Sequence, residues 1–276
     1  YLVIMETDNP ISIPKASRRP RIIAVANQKG GVGKTTTAIN LATALAAIHK
    51  KTLIIDLDPQ GNASTGLGIT HSERSLNSYQ VLIGEAGLED AMIETTIPRL
   101  HVVPAGIDLT GAEIELVSVE RREFRLKEAL ARSAANVDYI LIDCPPALGL
   151  LTINALVAAD AVLVPLQCEF FALEGISHLV KTIDRIKRAF NPGLEIQGIV
   201  LTMFDRRNNL SGMVADDVRG FFGDKVYKTV IPRNVRVSEA PSHGKPALVY
   251  DLKCAGSQAY LHLASEVLQR ERGIMA

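Results

Sequence analysis

The sequence predicts a doubly wound α/β fold, a mostly parallel sheet with helices on both faces, and two observations carry that prediction. From Arg21 onward, short β-branched apolar runs alternate with longer stretches of helical period, the pattern of strands covered on both faces and joined by crossover helices. The first of these runs also passes through a glycine-rich turn directly into a helical pattern. A chain of 276 residues, 47% of them hydrophobic, can bury a sizeable core and suits one large domain.

Tyr1–Pro20 contains three prolines, the basic cluster Lys15, Arg18 and Arg19, and no hydrophobic period. Residues 1–20 are therefore expected as a flexible leader and 21–276 as a single domain. The strand candidates are Ile22–Ala26, Thr52–Ile55, His101–Val103, Tyr139–Ile142, Ala161–Pro165, Ile196–Thr202 and Val226–Ile231. Helices are expected in most of the gaps. Ser257–Arg270 reads as a closing helix, with Ser257 as its cap and Leu261, Ala264, Val267 and Leu268 on one face.

Composition narrows the function classes. The 30 basic side chains balance 30 acidic ones, so nothing in the total demands a polyanionic or membrane partner, and DNA binding would need a local patch. Cys144, Cys168 and Cys254 are odd in number and lack C-x-x-C spacing, which argues against a disulfide framework, a zinc site or an iron–sulfur cluster. Cys144 and Cys168 are expected as small buried hydrophobes. No apolar run reaches the roughly 20 residues that span a bilayer, and a cytoplasmic protein is expected.

Directly after the first strand stands Gln28-Lys29-Gly30-Gly31-Val32-Gly33-Lys34-Thr35-Thr36, followed by a helical pattern through Ala38, Leu41, Ala42 and Leu45. The glycines let successive N–H groups turn toward a phosphate, and the helix N-terminus adds its positive end. Lys34 can reach β- and γ-phosphates, and Thr35 offers a hydroxyl to magnesium. Lys29 through Thr36 are thus the expected nucleotide cradle, for ATP with Mg2+. The usual pattern would place glycine at Gln28, so this is a variant P-loop whose added feature is Lys29. Asp56 and Asp58 follow the second strand and Asp143 ends another; ligands of open α/β sheets bind beyond those strand ends. Asp143 fits the acid that holds magnesium in a P-loop NTPase.

The loop resembles the K-G-G-x-G-K-T/S signature shared by partition proteins, septum-placing MinD proteins, nitrogenase iron proteins and arsenite-pump ATPases. Three further runs resemble the partition group, the ParA/Soj family: Asp58-Pro59-Gln60-Gly61-Asn62-Ala63, Cys168 through Gly175, and Ile231 through Pro241. The resemblance covers nearly the whole chain from Arg21. It implies an ATP-dependent homodimer in which Lys29 crosses to the partner's nucleotide, and Asp58 as the group that positions the hydrolytic water. It also implies Asp56 as a structural or magnesium-shell acid, and Met203, Pro232 and Asn234 around the adenine. Arg207 and Arg236 match positions that contact nonspecific double-stranded DNA.

A ParB-type centromere-binding protein is the implied trigger of a slow ATPase, and the nucleoid the implied location. From charge alone the DNA face is weak: Leu201–Lys253 holds nine basic residues against six acidic. The rival is a MinD-like membrane-surface ATPase, which should end in a basic amphipathic helix with bulky apolar residues; the mixed-charge tail here reads as a packing helix. A metabolic kinase or ligase using the same loop is a third reading.

Overall fold

The computed structural model describes residues 19–274. Its eight strands are β1 (Arg21–Val25), β2 (Thr52–Asp56), β3 (Ile93–Glu94), β4 (Leu100–Val103), β5 (Tyr139–Asp143), β6 (Ala161–Gln167), β7 (Glu195–Phe204) and β8 (Val226–Pro232). They form one sheet in the order β3-β4-β2-β5-β1-β6-β7-β8. Every pairing is parallel except β3 with β4. Alternation of side chains along a strand explains the two layers. In β1, Ile22 and Ala24 enter one core cluster while Ile23 and Val25 enter the other, so the strand is apolar throughout because both faces are covered.

The helices are α1 (Lys34–Ala47), α2 (Asn62–Gly66), α3 (Ser78–Ile83), α4 (Leu109–Glu115), α5 (Arg125–Arg132), α6 (Leu150–Ala158), α7 (Ala172–Ala189), α8 (Asn209–Phe222), α9 (Val235–Glu239), α10 (Ala247–Tyr250) and α11 (Ala255–Ile274). Residues of α3 to α8 fill the first cluster, and those of α1, α10 and α11 the second. The expected face of α1 is met: Ala38, Leu41, Ala42 and Leu45 are fully buried.

All seven expected strands are present, most of them a residue or two longer than expected. The two-residue β3 is additional, too short to leave a periodic signal. Because β7 runs on to Phe204 and β8 to Pro232, Thr202–Phe204 and Pro232 lie within strands rather than after them. Ser257 is not a cap. The closing helix begins at Ala255, and Ser257 is fully buried inside it; the turn before the helix is held instead by Asp251, whose Oδ1 accepts the N–H groups of Lys253 and Cys254 at 3.1 and 3.2 Å. Cys144 and Cys168 are buried free thiols. Lys15, Arg18 and most of the expected leader lie outside the described residues, while Arg19 pairs with Asp160 at 3.0 Å. Among the described residues, no helix is long and apolar enough to cross a membrane.

Candidate functional site

The sheet brings the expected acids to one place. Val25 at the end of β1 is in register with Asp143 of β5 on one side and with Leu163 of β6 on the other, and Asp143 is in register with Asp56 of β2. The crossovers from β1 to β2 and from β5 to β6 pass over opposite faces through α1 and α6. The chain therefore parts at the end of β1 and opens a crevice there.

The loop from Gln28 to Gly33 lines that crevice. Gly31 and Gly33 have φ of 74° and 88°, values a side chain resists, and a Cβ at Gly30 or Gly31 would meet nothing within 4 Å. The backbone is thus curled around open space. Gly33 caps α1 without a side-chain acceptor, so the first N–H groups of α1 are available to an anion. Asn27 braces the loop, donating to Pro165 O at 2.8 Å and accepting the Lys29 N–H at 3.1 Å. Thr202 Oγ1 in β7 donates to Val32 O at 2.8 Å. Lys34 Nζ donates back to the Lys29 carbonyl at 2.9 Å; burial pulls its pKa down, and the negative charge of Asp143 opposes this. The Lys29 ammonium, half exposed, is ion-paired with Glu169.

The three acids have different surroundings. Asp143 is fully buried, and neither of its oxygens has a hydrogen bond of ordinary geometry. Burial and the charge of Asp56 push its pKa well up, while the Thr35 hydroxyl and Lys34 work against that. An orphaned carboxylate beside a threonine hydroxyl and a phosphate cradle fits Mg2+, which keeps most of its waters and relies on phosphate oxygens. Such an ion needs no protein cage, and among the described residues no cluster of three or more His, Cys, Asp or Glu forms one.

Asp56 is buried too, but its oxygens are engaged. Oδ1 accepts the Asp58 N–H at 3.1 Å, and Oδ2 accepts the Ser64 N–H and hydroxyl at 2.9 and 2.7 Å. Burial raises its pKa to about 6 despite the Ser64 hydrogen bonds. This geometry favours the structural side of its expected role, anchoring the turn that carries Asp58. Asp58 lies just beyond, 8% exposed, accepting the Gln60 N–H at 3.0 Å.

Of the expected base-pocket residues, Met203 reaches the loop: its Cε is 3.8 Å from where a Cβ on Gly33 would sit. Its φ of 49° is a left-handed conformation that costs a non-glycine residue about 1 kcal/mol. A cavity of about 290 Å³ beside it is lined by Glu169, Met203, Asp205, Ser211 and Arg233. Pro232 pairs with Phe204 of β7. The Asn234 side chain accepts the N–H groups of Arg236 and Val237 as the N-cap of α9.

The two DNA candidates are exposed but already paired. Arg207 makes a two-pronged contact with Asp205, Nε to Oδ1 at 3.0 Å and Nη2 to Oδ2 at 2.9 Å. Arg236 Nη1 donates to Glu239 at 3.1 Å, with Asp251 at 3.7 Å. Two residues escaped the sequence reading: Glu169, noted there only within a family run, and the buried Arg74, whose single basic letter between His71 and Leu76 carries no periodic signal.

A family model described as an AAA domain matches residues 20–196. The chromosome partitioning protein ParA of Caulobacter vibrioides is 65% identical over 254 residues, 91% of this chain and 95% of that protein. The sporulation initiation inhibitor protein Soj of Bacillus subtilis is 55% identical over 247 residues, 90% of this chain and 98% of that protein. The chain belongs to the ParA/Soj family. Among solved structures, a cobyrinic acid a,c-diamide synthase from Mycobacterium smegmatis with bound ADP and magnesium superposes with a TM-score of 0.81. It is 36% identical, and the match covers 92% of this chain and 96% of that one. That synthase shares the P-loop fold, whereas the ParA and Soj proteins share much more of the sequence. In this ParA/Soj chain the family run Cys168–Gly175 adjoins the phosphate loop through the Lys29–Glu169 pair and through Gln28 Nε2, which donates to Gly175 O at 3.0 Å, while the run Asp58–Ala63 is tied to Asp56 through the Asp58 N–H.

Proposed function

We propose that the chain is an ATP-driven DNA-segregation ATPase working as a nucleotide-sandwiched dimer. The observation that carries this reading is the phosphate loop with a second lysine, facing an orphaned carboxylate at the end of the neighbouring strand. Gly30 to Thr36 and Lys34 would hold the phosphates of ATP, with Thr35 and Asp143 toward Mg2+ and Met203, Pro232 and Asn234 toward the base. Magnesium, when bound, supplies positive charge to the phosphate oxygens. Lys34 exchanges the Lys29 carbonyl for phosphate, and Asp58 accepts a hydrogen bond from water to orient it.

Lys29 exchanges Glu169 for the partner's phosphate, so closure depends on a phosphate that hydrolysis removes. Exposed apolar side chains at the strand-end rim, including Ile107, Ile114, Phe170, Phe171 and Met213, suit burial against a second copy. Arg207 and Arg236, doubled in the dimer, would meet DNA phosphates without reading sequence, and a ParB-type protein would accelerate hydrolysis to release the nucleoid. The closing helix favours DNA over lipid as cargo. Leu263 and Val267 are buried, and Arg270 lies 3.9 Å over the Tyr227 ring, so the helix is committed to packing.

The test is duplex binding against salt with ATP and with ADP, for the wild type, Asp58→Ala, Arg207→Glu and Arg236→Glu. Four phosphate contacts per dimer predict a slope of log K against log salt of about −3.6. Asp58→Ala should lower turnover by about 100-fold while binding DNA with ATP, and each charge reversal should abolish that binding. Wild-type binding that ignores nucleotide, or survives both reversals, sinks the DNA face.

A further inference from the structure

Among the described residues Arg74 is one of the few buried charged side chains, 6% exposed, and none of their carboxylates lies within ion-pair distance. Its two terminal nitrogens meet oxygens of the segment that follows Asp58 and of the loop after β4, while Nε is buried without a partner. Nη2 donates to Ile69 O at 2.7 Å and to Thr65 Oγ1 at 2.9 Å, and Nη1 makes long contacts of 3.5 Å to Gly61 O and 3.4 Å to Ala105 O. Burying an arginine without a salt-bridge partner is costly, and packing alone would be served by an apolar side chain.

The segment it holds is the turn of the proposed water-orienting acid. Gly61 N donates to Asp58 O at 2.8 Å, and Gly61 has φ of 62°, with a Cβ there falling 2.4 Å from Arg74 Nη1. The turn is gripped from both sides. Asp56 holds Ser64 from the sheet, and the Ser64 hydroxyl accepts the Ala105 N–H at 3.0 Å; Arg74 holds Gly61, Thr65 and Ala105 from outside. The charges of Asp56 and Arg74 attract across the turn.

We infer that Arg74 is a positioning residue for ATP hydrolysis, fixing the Asp58 turn against the loop after β4 so that the carboxylate keeps its aim at the attacking water. This rests on the proposed role of Asp58.

The experiment combines steady-state turnover, fluorescent ATP-analogue affinity and amide hydrogen exchange on the full chain, for Arg74→Met, Arg74→Lys, Thr65→Val, Asp58→Ala and the Asp58→Ala/Arg74→Met double variant. Arg74→Met should exchange faster at residues 58–66 with the 28–36 loop unchanged. Its kcat should fall about tenfold, equivalent to about 1.4 kcal/mol, with nucleotide affinity within about twofold. Arg74→Lys should recover part of the loss. Thr65→Val, which keeps the shape but removes both the Arg74 acceptor and the hydroxyl's own bond to Gly61 O at 3.0 Å, should lose about threefold and serves if Arg74→Met does not fold, a loss that Arg74→Lys should share in part. In the Asp58→Ala background, Arg74→Met should cost nothing further.

Unchanged exchange at 58–66, unchanged kcat, losses that multiply with Asp58→Ala, or affinity falling in step with kcat would each overturn the inference. Faster exchange at 58–66 together with wild-type turnover by Asp58→Ala would overturn the catalytic reading of Asp58, and reduce Arg74 to packing.

Discussion

The two edges of the sheet each bury an acid, and they treat it in opposite ways. At the N-terminal edge, Glu271 of α11 accepts from Arg21 Nε at 3.2 Å, Gln197 Nε2 at 3.2 Å and Tyr139 OH at 2.5 Å. At the strand-end edge, Asp143 is buried more completely, and neither of its oxygens finds a hydrogen bond of ordinary geometry. The left-handed residues Gly31, Gly33, Gly61 and Met203 gather at that same edge. A satisfied buried charge fixes a fold; an orphaned one keeps a place for something else. The difference separates what the chain spends on stability from what it withholds for a ligand.

The largest effect should come from breaking the satisfied edge. Glu271→Ala leaves Tyr139 OH and Gln197 Nε2 without their acceptor and weakens the tie to Arg21, and should lower unfolding free energy by about 3 kcal/mol, measured by urea melts. A change in kcat of bound ATP larger than a few fold would blur the division between edges.

The orphaned edge should answer with the opposite sign. Asp143→Asn should stabilise the nucleotide-free protein by about 1–2 kcal/mol at pH 8 while abolishing turnover. The sign follows from the raised pKa. The folded protein keeps a proton that the unfolded chain releases, so stability is full below the unfolded carboxylate range and is lost as pH rises through the folded pKa. The gain from asparagine should therefore vanish near pH 4, and melts across pH 4–8 check this. Stabilisation that persists at pH 4 would point to packing rather than charge.

The smallest effect tests an exposed pair at the same edge. The Lys29 and Glu169 side chains are 43% and 45% exposed, so Glu169→Gln should change stability by less than about 1 kcal/mol. It should still lower the ATP concentration needed for dimerisation, read by sedimentation velocity.

These edges were not equally legible in the sequence. The strand, glycine loop and helix were plain because the loop's chemistry demands residue types in fixed order, and β1, β2 and β5 are apolar on both faces. Asp56, Asp58 and Asp143 were legible as strand-end acids, but not their division of labour, which depends on Ser64 and on burial. Ser257 misled because a serine before an apolar stripe resembles a cap, whereas the turn is held by Asp251. The pairing of Arg207 and Arg236 with local carboxylates was equally hidden: a count of charges gives no geometry. Arg74 and Glu271 look like ordinary surface letters until the chain folds them inward.

The grip of Glu271 on Arg21 and Tyr139 also has a consequence for synthesis. Arg21 of β1 is made 250 residues before the acid that completes the strand's lower end. Until the end of α11 leaves the ribosome, the strand feeding the phosphate loop is without that tie, so a nascent chain should gain its full grip on nucleotide only when α11 docks.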